Sequence, residues 1–269
     1  MRLTTLDIQG SPHLAVAEGD GLRLLAGGAG SDVGSVAGST LDDLRRAAAD
    51  GEPAPPGARV LAPLRPATIV AIGLNYLDHI RETGMERPVR PLVFSKLRSS
   101  VIGHDDAIRI DREITEQVDW EVELGVVIGR RASRVSAADA LGAVFGYTVA
   151  NDVSARDVQF GDGQWVRGKS LDTFCPLGPV VVTADEIGDP QSLALRTRVN
   201  GEVVQDSSTA EMIFGVAELI SFCSHSFTLE PGDIMLTGTP WGCGAFMDPP
   251  RFLAPGDVVE TEVEGIGTL

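Results

Sequence analysis

Hydrophobic residues along this chain fall mostly into short runs that end at glycine, proline, asparagine or aspartate. Runs of β-branched and apolar residues bounded in this way predict strands. One run, residues 193–201, ends in Asn200-Gly201, a typical two-residue hairpin turn. The other predicted strands are residues 68–73, 91–94, 120–129, 143–150, 180–183 and 233–237.

Three segments predict helices. Residues 39–49 have Ser39 or Thr40 as a candidate cap and acidic residues in the first turn. Further helices are predicted at residues 136–141 and 209–221, the latter from its apolar spacing. Because the predicted strands are more numerous and do not alternate with helices, the fold class is mainly β (α+β) rather than a βαβ array.

A proline-rich stretch suggests how the chain is divided. Prolines and a glycine cluster at residues 53–57, and further prolines stand at positions 63 and 66, as is typical of a linker. The predicted division is a small N-terminal domain, residues 1–65, and a catalytic-size domain, residues 66–269. Gly28 and Gly30 are followed by Val33 where a dinucleotide-binding loop has its third glycine, so the Rossmann interpretation is rejected.

Composition narrows the class of protein. The chain has 269 residues, 43% of them hydrophobic, with 31 glycines and 16 prolines, which is typical of a turn-rich globular protein. The net charge of −16 argues against a nucleic-acid partner. Apolar stretches of membrane-spanning length and a signal peptide are both missing, so we expect a soluble, cytoplasmic protein with no membrane partner. Its three cysteines show no paired spacing, which fits a reducing compartment.

Two carboxylates interrupt the apolar run at residues 120–129. On a strand, Glu121 and Glu123 project from one face, where they repel each other unless they protonate, point into water or share a cation. A solvated acidic edge strand is the alternative. Asp152 adds a third carboxylate just after the next run, residues 143–150. Three acidic oxygens without a nearby histidine or cysteine favour Mg²⁺ or Mn²⁺ over Zn²⁺.

Other candidate groups lie near predicted strand ends. His79 and Glu82 are three residues apart and would face the same way on a helix, so Glu82 could orient the imidazole as a general base; a surface contact is the alternative. Lys169 follows a glycine-rich loop, and Lys96 follows the strand predicted at residues 91–94. Residues 236–244 form a strand and a tight loop whose N–H groups could receive a carboxylate.

The order of these motifs resembles the fumarylacetoacetate hydrolase superfamily, in particular its bacterial acylpyruvase-like members. The similarity covers roughly residues 66–269, and residues 1–65 resemble the variable N-terminal region of many bacterial members. One departure is Cys243, where relatives commonly have valine. The motifs that carry the resemblance are residues 73–82, 120–129, 151–159, 168–174, 199–205 and 236–240.

The resemblance implies a mixed β-sandwich roll around a metal site, usually in a homodimer. It implies that Glu121, Glu123 and Asp152 hold Mg²⁺ or Mn²⁺, and that His79 and Glu82 form a catalytic pair on a flexible lid. Lys169 would stabilise a developing oxyanion and, with Arg156, Gln159 and Thr239, would hold the substrate. Lys96 is a further predicted substrate contact, because an anionic substrate must be drawn in by clustered cations.

The activity expected from this resemblance is hydrolysis of a C–C bond in a 2,4-dioxo acid through a metal-stabilised enolate, as in aromatic catabolism. The same enolate chemistry would serve decarboxylation of an oxaloacetate-type acid, or isomerisation or hydration of a dienoic 2-oxo diacid. A non-catalytic protein that binds a metal or a small acid is the remote alternative. In every catalytic case the substrate is a small anionic 2-oxo acid.

Overall fold

The structure, a computed structural model, describes residues 1–19 and 21–269. The helices of this part of the chain are α1 (Val33–Val36), α2 (Leu41–Ala49), α3 (Leu77–Thr83), α4 (Ala137–Ala140), α5 (Arg156–Asp162), α6 (Val166–Lys169) and α7 (Val216–Ser226). The strands are β1 (Arg2–Ile8), β2 (Ser11–Glu18), β3 (Gly21–Ala29), β4 (Arg59–Val60), β5 (Ile69–Gly73), β6 (Leu92–Ser95), β7 (Val101–Ile102), β8 (Val118–Asp119), β9 (Val122–Ile128), β10 (Val144–Asn151), β11 (Ser154–Ala155), β12 (Cys175–Thr183), β13 (Ala194–Val199), β14 (Glu202–Ser208), β15 (Ile234–Leu236), β16 (Val259–Val263) and β17 (Gly267–Thr268).

One large mixed sheet organises the fold. Its strands follow the order β3-β2-β1-β12-β10-β9-β15-β5-β6, with β4 beside β1 and β7 beside β12. The pairs β15–β5 and β12–β7 are parallel, and the other pairs are antiparallel. The acidic strand β9 lies between β10 and β15, with every residue buried. The alternative of a solvated edge strand is therefore wrong.

A second sheet covers one part of the first. Its strand order is β14-β13-β16-β17, and β13 and β16 pack on β9 and β10. The apolar core between the layers also takes residues from α7, such as Leu219 and Ile220, both fully buried. The predicted turn at Asn200-Gly201 joins β13 to β14, with both residues at positive φ (54° and 81°), as such a hairpin requires. This mainly β sandwich confirms the predicted fold class.

The N-terminal strands continue the large sheet. β1 pairs with β12 in antiparallel register, with Leu3 opposite Val181. Leu3, Leu14 and Leu44 of this region share one apolar core with Val127 of β9. Strand pairing and a common core thus join the N-terminal region to the catalytic-size region. The division of the chain at residue 65 stays a prediction.

The predicted helices are present, but the third is displaced along the chain, since α7 spans Val216–Ser226 rather than residues 209–221. Thr40 caps α2, as expected. The segment predicted as helical from residue 209 instead forms a single 3₁₀ turn, a bridge from Met212 to Tyr76 and two bends, and α7 begins only at residue 216. The side chain of Asn75 explains this difference, because it accepts a hydrogen bond from the N–H of Phe214 and donates one to its carbonyl. These bonds hold the backbone at Phe214 in a non-helical conformation against the chain after β5.

Candidate active site

Three carboxylates meet at one end of the β9–β10 pair. Glu123 is the second residue of β9, Glu121 directly precedes that strand, and Asp152 directly follows β10. Because the two strands are antiparallel, the start of one lies beside the end of the other. One oxygen of each carboxylate lies within 4.8 Å of those of the other two, and the three residues are at most 5% exposed. The structure thus brings together the three predicted metal ligands.

Lys169, the last residue of α6, forms ion pairs with two of these carboxylates. Its Nζ atom lies 2.8 Å from Glu121 Oε2 and 2.8 Å from Asp152 Oδ2. Glu123 differs from the other two, because within the described residues it makes no ion pair. It accepts a hydrogen bond from the backbone N–H of Gly238 at 2.7 Å.

These buried charges shift each other's protonation. Burial raises the pKa of Glu121, but the positive charges of Lys169 and Arg156 outweigh this effect and hold the pKa at about 2. Burial and the charges of Asp152 and Glu121 raise the pKa of Glu123 well above its usual range. A cation shared by the three carboxylates would remove the repulsion that raises it.

Arg156 is the second buried cation of the site. Its Nε lies 2.8 Å from Asp119 Oδ2, and its Nη1 lies 2.7 Å from Glu121 Oε1. The same Nη1 donates to Gln159 Oε1 at 3.0 Å. The other terminal nitrogen, Nη2, is buried and has no hydrogen-bond partner among the described residues. Buried donors without a partner are rare, so this atom favours an acceptor supplied by a ligand.

Asp119 is a residue of the site that the sequence interpretation missed. It is fully buried, and its two oxygens accept the backbone N–H groups of Gly244 and Ala245 at 2.8 and 3.0 Å. It therefore fixes both Arg156 and the loop after β15. A signal was present in the sequence, because Asp119 stands two residues before Glu121 and continues the same-face spacing of the acidic pair.

His79 and Glu82 lie one turn apart on α3. His79 Nδ1 is 2.9 Å from Glu82 Oε2, and the ring of Phe246 packs edge-on against the imidazole with 5.4 Å between centroids. The second oxygen of Glu82 accepts the N–H of Gly242 at 2.8 Å. Both members of the pair are therefore fixed in orientation. Movement of α3 as a lid stays a prediction.

A narrow cavity of about 40 Å³ connects the dyad with the charged groups. Thr239, at 5% exposure, reaches it from the loop after β15, and its Oγ1 accepts a hydrogen bond from Gln205 Nε2 at 3.0 Å. The apolar part of the wall includes the aromatic rings of Phe94, Phe160, Trp165 and Phe246. The polar part of the wall is formed by His79, Glu121, Arg156, Gln159, Lys169 and Thr239.

Lys96 occupies a different place from the one expected. Its side chain is fully buried, and its Nζ bonds Asp152 Oδ1, the carbonyl of Val153 at 3.2 Å and the carbonyl of Lys169. It does not line the cavity. The prediction that Lys96 contacts the substrate directly is therefore wrong. Lys96 instead positions Asp152 and the end of α6.

The donor set fits a hard divalent cation. The triad offers only carboxylate oxygens, which Mg²⁺ and Mn²⁺ prefer. Four buried carboxylates, including Asp119, face three buried cations, so the cluster carries one negative charge when Glu123 is ionised, as metal binding requires. A divalent ion would make the site positive by one charge, and the site would then attract an anionic substrate.

Comparison with known proteins identifies the family. The model of the fumarylacetoacetate (FAA) hydrolase C-terminal domain matches residues 68–269. The chain belongs to the fumarylacetoacetate hydrolase family. Family members typically use a divalent metal, in keeping with the acidic triad.

Individual relatives extend the comparison beyond the family model. A mitochondrial oxaloacetate tautomerase of Bos taurus is 50% identical over 236 residues, which are 86% of this chain and 75% of that protein. The fumarylacetoacetate hydrolase of Exiguobacterium antarcticum has a TM-score of 0.91 at 36% identity, covering 100% of this chain and 97% of that one. A 5-carboxymethyl-2-hydroxymuconate delta-isomerase of Mycobacterium smegmatis has a TM-score of 0.81 at 37% identity, covering 100% and 96%.

Proposed function

We propose that the protein is a divalent-metal-dependent tautomerase that interconverts the enol and keto forms of oxaloacetate or a similarly short 2-oxo diacid. The observation that carries the proposal is the buried, unpartnered Nη2 of Arg156 in the same small cavity as His79. A carboxylate is the acceptor that a guanidinium fits best. A cavity of about 40 Å³ favours a short substrate over a long acyl chain.

Binding of the substrate and movement of its proton are assigned to side chains that line the cavity, beside the proposed cation. A cation held by Glu121, Glu123 and Asp152 would supply Lewis-acid polarisation of the 2-oxo group. Arg156 holds a carboxylate, and Lys169 stabilises negative charge on the oxygen at C2.

His79 exchanges a proton with C3. As neutral imidazole it accepts the proton from the keto form, and Glu82 Oε2, 2.9 Å from Nδ1, stabilises the imidazolium that results. The oxygen at C2 takes its proton from water as the enol leaves, and the imidazolium gives its proton to the hydroxide that remains, which restores neutral His79. In the opposite direction the enol hydroxyl gives its proton to water, His79 takes a proton from water, and the imidazolium delivers that proton to C3, so atoms and charge balance.

The reactions in the relatives' names favour proton transfer over bond cleavage. Tautomerisation and the delta-isomerisation both move a proton without breaking a C–C bond, and one tautomerase is 50% identical to this chain. C–C hydrolysis of a 2,4-dioxo acid is the second candidate. It is favoured by the structural similarity to a protein named fumarylacetoacetate hydrolase and by the dyad, which is suited to deprotonating a water.

A single assay separates these candidates. Enol oxaloacetate absorbs in the ultraviolet, and its decay is followed with chelator-treated protein and again after Mg²⁺ or Mn²⁺ is added. We expect metal-dependent loss of the enol without pyruvate, and no cleavage of acetylpyruvate. Metal-dependent cleavage of acetylpyruvate would support the hydrolase, and pyruvate from oxaloacetate would support a decarboxylase.

We also propose that the protein is a homodimer, which light scattering on the purified protein tests.

Within the described residues no helix is long and apolar enough to cross a membrane. A cytoplasmic location also stays a prediction, and the relative of Bos taurus is named as mitochondrial.

A further inference from the structure

A second group of metal-ligating side chains lies beside the carboxylate triad. His79, Glu82 and Cys243 each place one ligand atom within 4.8 Å of the other two. His79 and Cys243 are buried, and Glu82 is half-buried. The set combines nitrogen, oxygen and sulfur, whereas the triad offers oxygen alone.

We propose that His79, Glu82 and Cys243 form a separate site for a soft divalent cation such as Zn²⁺, and that occupation of this site inhibits the enzyme. Thiolate and imidazole are the ligands that zinc prefers, and three protein ligands with a fourth open position are a common arrangement. The two neighbouring sites would then select different ions, because Mg²⁺ has little affinity for sulfur.

The spacing of the three ligands suits one ion. Ligand atoms around a tetrahedral zinc lie about 3–4 Å apart, given the usual zinc–ligand distances. His79 Nδ1 and Glu82 Oε2 are already 2.9 Å apart. The thiol needs only a small side-chain movement to complete the set, since the three ligand atoms lie within 4.8 Å of one another.

The backbone around Cys243 is held in place for this geometry. Glu82 Oε1 accepts the N–H of Gly242, the residue before the cysteine, which ties α3 to the loop. Gln205 Nε2 donates to the carbonyl of Pro240 at 3.1 Å and lies 4.0 Å from Cys243 Sγ. The sulfur therefore stays beside the dyad without a strong hydrogen bond of its own.

An ion can reach the site, and its binding has a defined consequence. His79 lines the cavity, so access does not require the fold to open. The Cys243 thiol proton is released to water as the sulfur–metal bond forms. An ion bound to Nδ1 leaves the ring proton on Nε2 and takes up the carboxylate that stabilises the imidazolium, so His79 can no longer accept a proton from the substrate. This inhibition rests on the proposed function, whereas the binding site does not.

Cobalt provides a direct test of binding. The full-length protein, saturated with Mg²⁺, is titrated with Co²⁺ without oxygen and followed by absorption. We expect thiolate-to-cobalt charge-transfer bands that saturate at one ion per chain, and their loss in Cys243→Ala, Cys243→Ser and His79→Ala. Cys223→Ala is the matched control, because it removes another buried thiol, located on α7, and should keep the bands.

Two outcomes overturn the proposed metal site. Absence of the bands in the native protein means that cobalt binds no thiolate, and bands that survive in both Cys243 variants mean that the thiolate ligand is another cysteine. If the bands behave as expected, Zn²⁺ is tested against the Mg²⁺-loaded enzyme. Half-inhibition should require at least about tenfold more Zn²⁺ in Cys243→Ala, because loss of a first ligand exceeds the 10–100-fold effect of an outer one. Should tautomerisation be absent in the native enzyme while the bands remain, the proposed function fails and the metal site stands.

Discussion

His79 Nδ1 lies 2.9 Å from Oε2 of Glu82, and the other oxygen of Glu82 accepts a backbone N–H from the loop after β15. One carboxylate therefore orients the imidazole and connects α3 to the loop that carries Thr239. The imidazole faces the same cavity as Arg156 and Lys169. This arrangement places a proton acceptor beside the groups that would hold a 2-oxo acid, and it leads to the first prediction.

Replacing His79 by asparagine should lower kcat for tautomerisation by about 10²–10⁴-fold, the usual contribution of a general base. The metal ligands are untouched, so the rise in melting temperature on adding Mg²⁺ should persist. Glu82→Gln should give a smaller loss of kcat, because the imidazole remains and only its stabilisation weakens. Native activity in His79→Asn with metal bound would exclude this residue as the base.

Glu121 and Glu123 should respond in opposite directions to the same change. In the metal-free protein Glu123→Gln should raise the free energy of unfolding at neutral pH, since it removes a buried carboxylate whose pKa is raised by burial and by its charged neighbours. Glu121→Gln should lower the free energy of unfolding by about 3 kcal/mol, because it breaks buried ion pairs with Lys169 and Arg156.

Thermal and denaturant unfolding of the two variants, each with and without Mg²⁺, measure this difference. Both variants should lose the metal-dependent increase in stability, because each removes a ligand. Without metal, the Glu123→Gln protein would then be more stable than the native protein, yet it would be inactive. This result is expected if Glu123 serves to bind the metal rather than to stabilise the fold. Destabilisation of the metal-free protein by Glu123→Gln would contradict this prediction, because it would show that the Glu123 carboxylate stabilises the fold without a metal.

Arg156→Lys should weaken substrate binding more than it slows turnover. Lysine keeps the charge but lacks the planar fork, so the contact assigned to the unpartnered Nη2 is lost. A hydrogen bond to a charged group is worth about 1.5–3 kcal/mol, which corresponds to a rise in KM of about 10–100-fold. Steady-state kinetics on oxaloacetate measure KM and kcat separately, and an unchanged KM would contradict the assigned contact.

Gly242 should tolerate no side chain. Its φ is +96°, and a Cβ atom would lie 2.1 Å from the carbonyl oxygen of Val204. We expect Gly242→Ala to lower the free energy of unfolding by more than about 3 kcal/mol. It should also reduce activity, because the loop that carries Thr239 and donates a hydrogen bond to Glu82 must shift.

Gly256 provides the matched control for this substitution. It has the same φ of +96° but nothing within 4 Å of its added Cβ. Gly256→Ala should therefore lower the free energy of unfolding by about 1–2 kcal/mol, the backbone contribution alone. Equal losses in the two variants would show that the contact with Val204 has no effect.

Local rules were sufficient to predict several central strands, such as β9 and β10, and the cluster of three carboxylates. The same-face spacing of Glu121 and Glu123 and the position of Asp152 after the next strand predicted a cluster, because neighbouring antiparallel strands bring such positions together. The hairpin at Asn200-Gly201 followed from its turn residues in the same way. These features depend on a few consecutive residues and on one strand pairing.

The features that were missed depend on contacts between distant parts of the chain. The start of α7 is set by Asn75, which lies 139 residues before Phe214. Lys96 points to Asp152 rather than to the cavity because of a partner 56 residues away. Spacing within a segment carries no information about such partners, so the prediction for Lys96 could not be corrected from the sequence.

The most direct test of metal-dependent proton transfer is exchange at C3 of oxaloacetate in D₂O, followed by NMR. Chelator-treated protein, the same protein with Mg²⁺ restored, and Mg²⁺-loaded His79→Asn are compared with a protein-free Mg²⁺ control. We predict exchange well above the control only for the Mg²⁺-restored native protein, with no pyruvate formed. Equal exchange in the His79→Asn protein, or exchange independent of metal, would contradict metal-dependent proton transfer through His79.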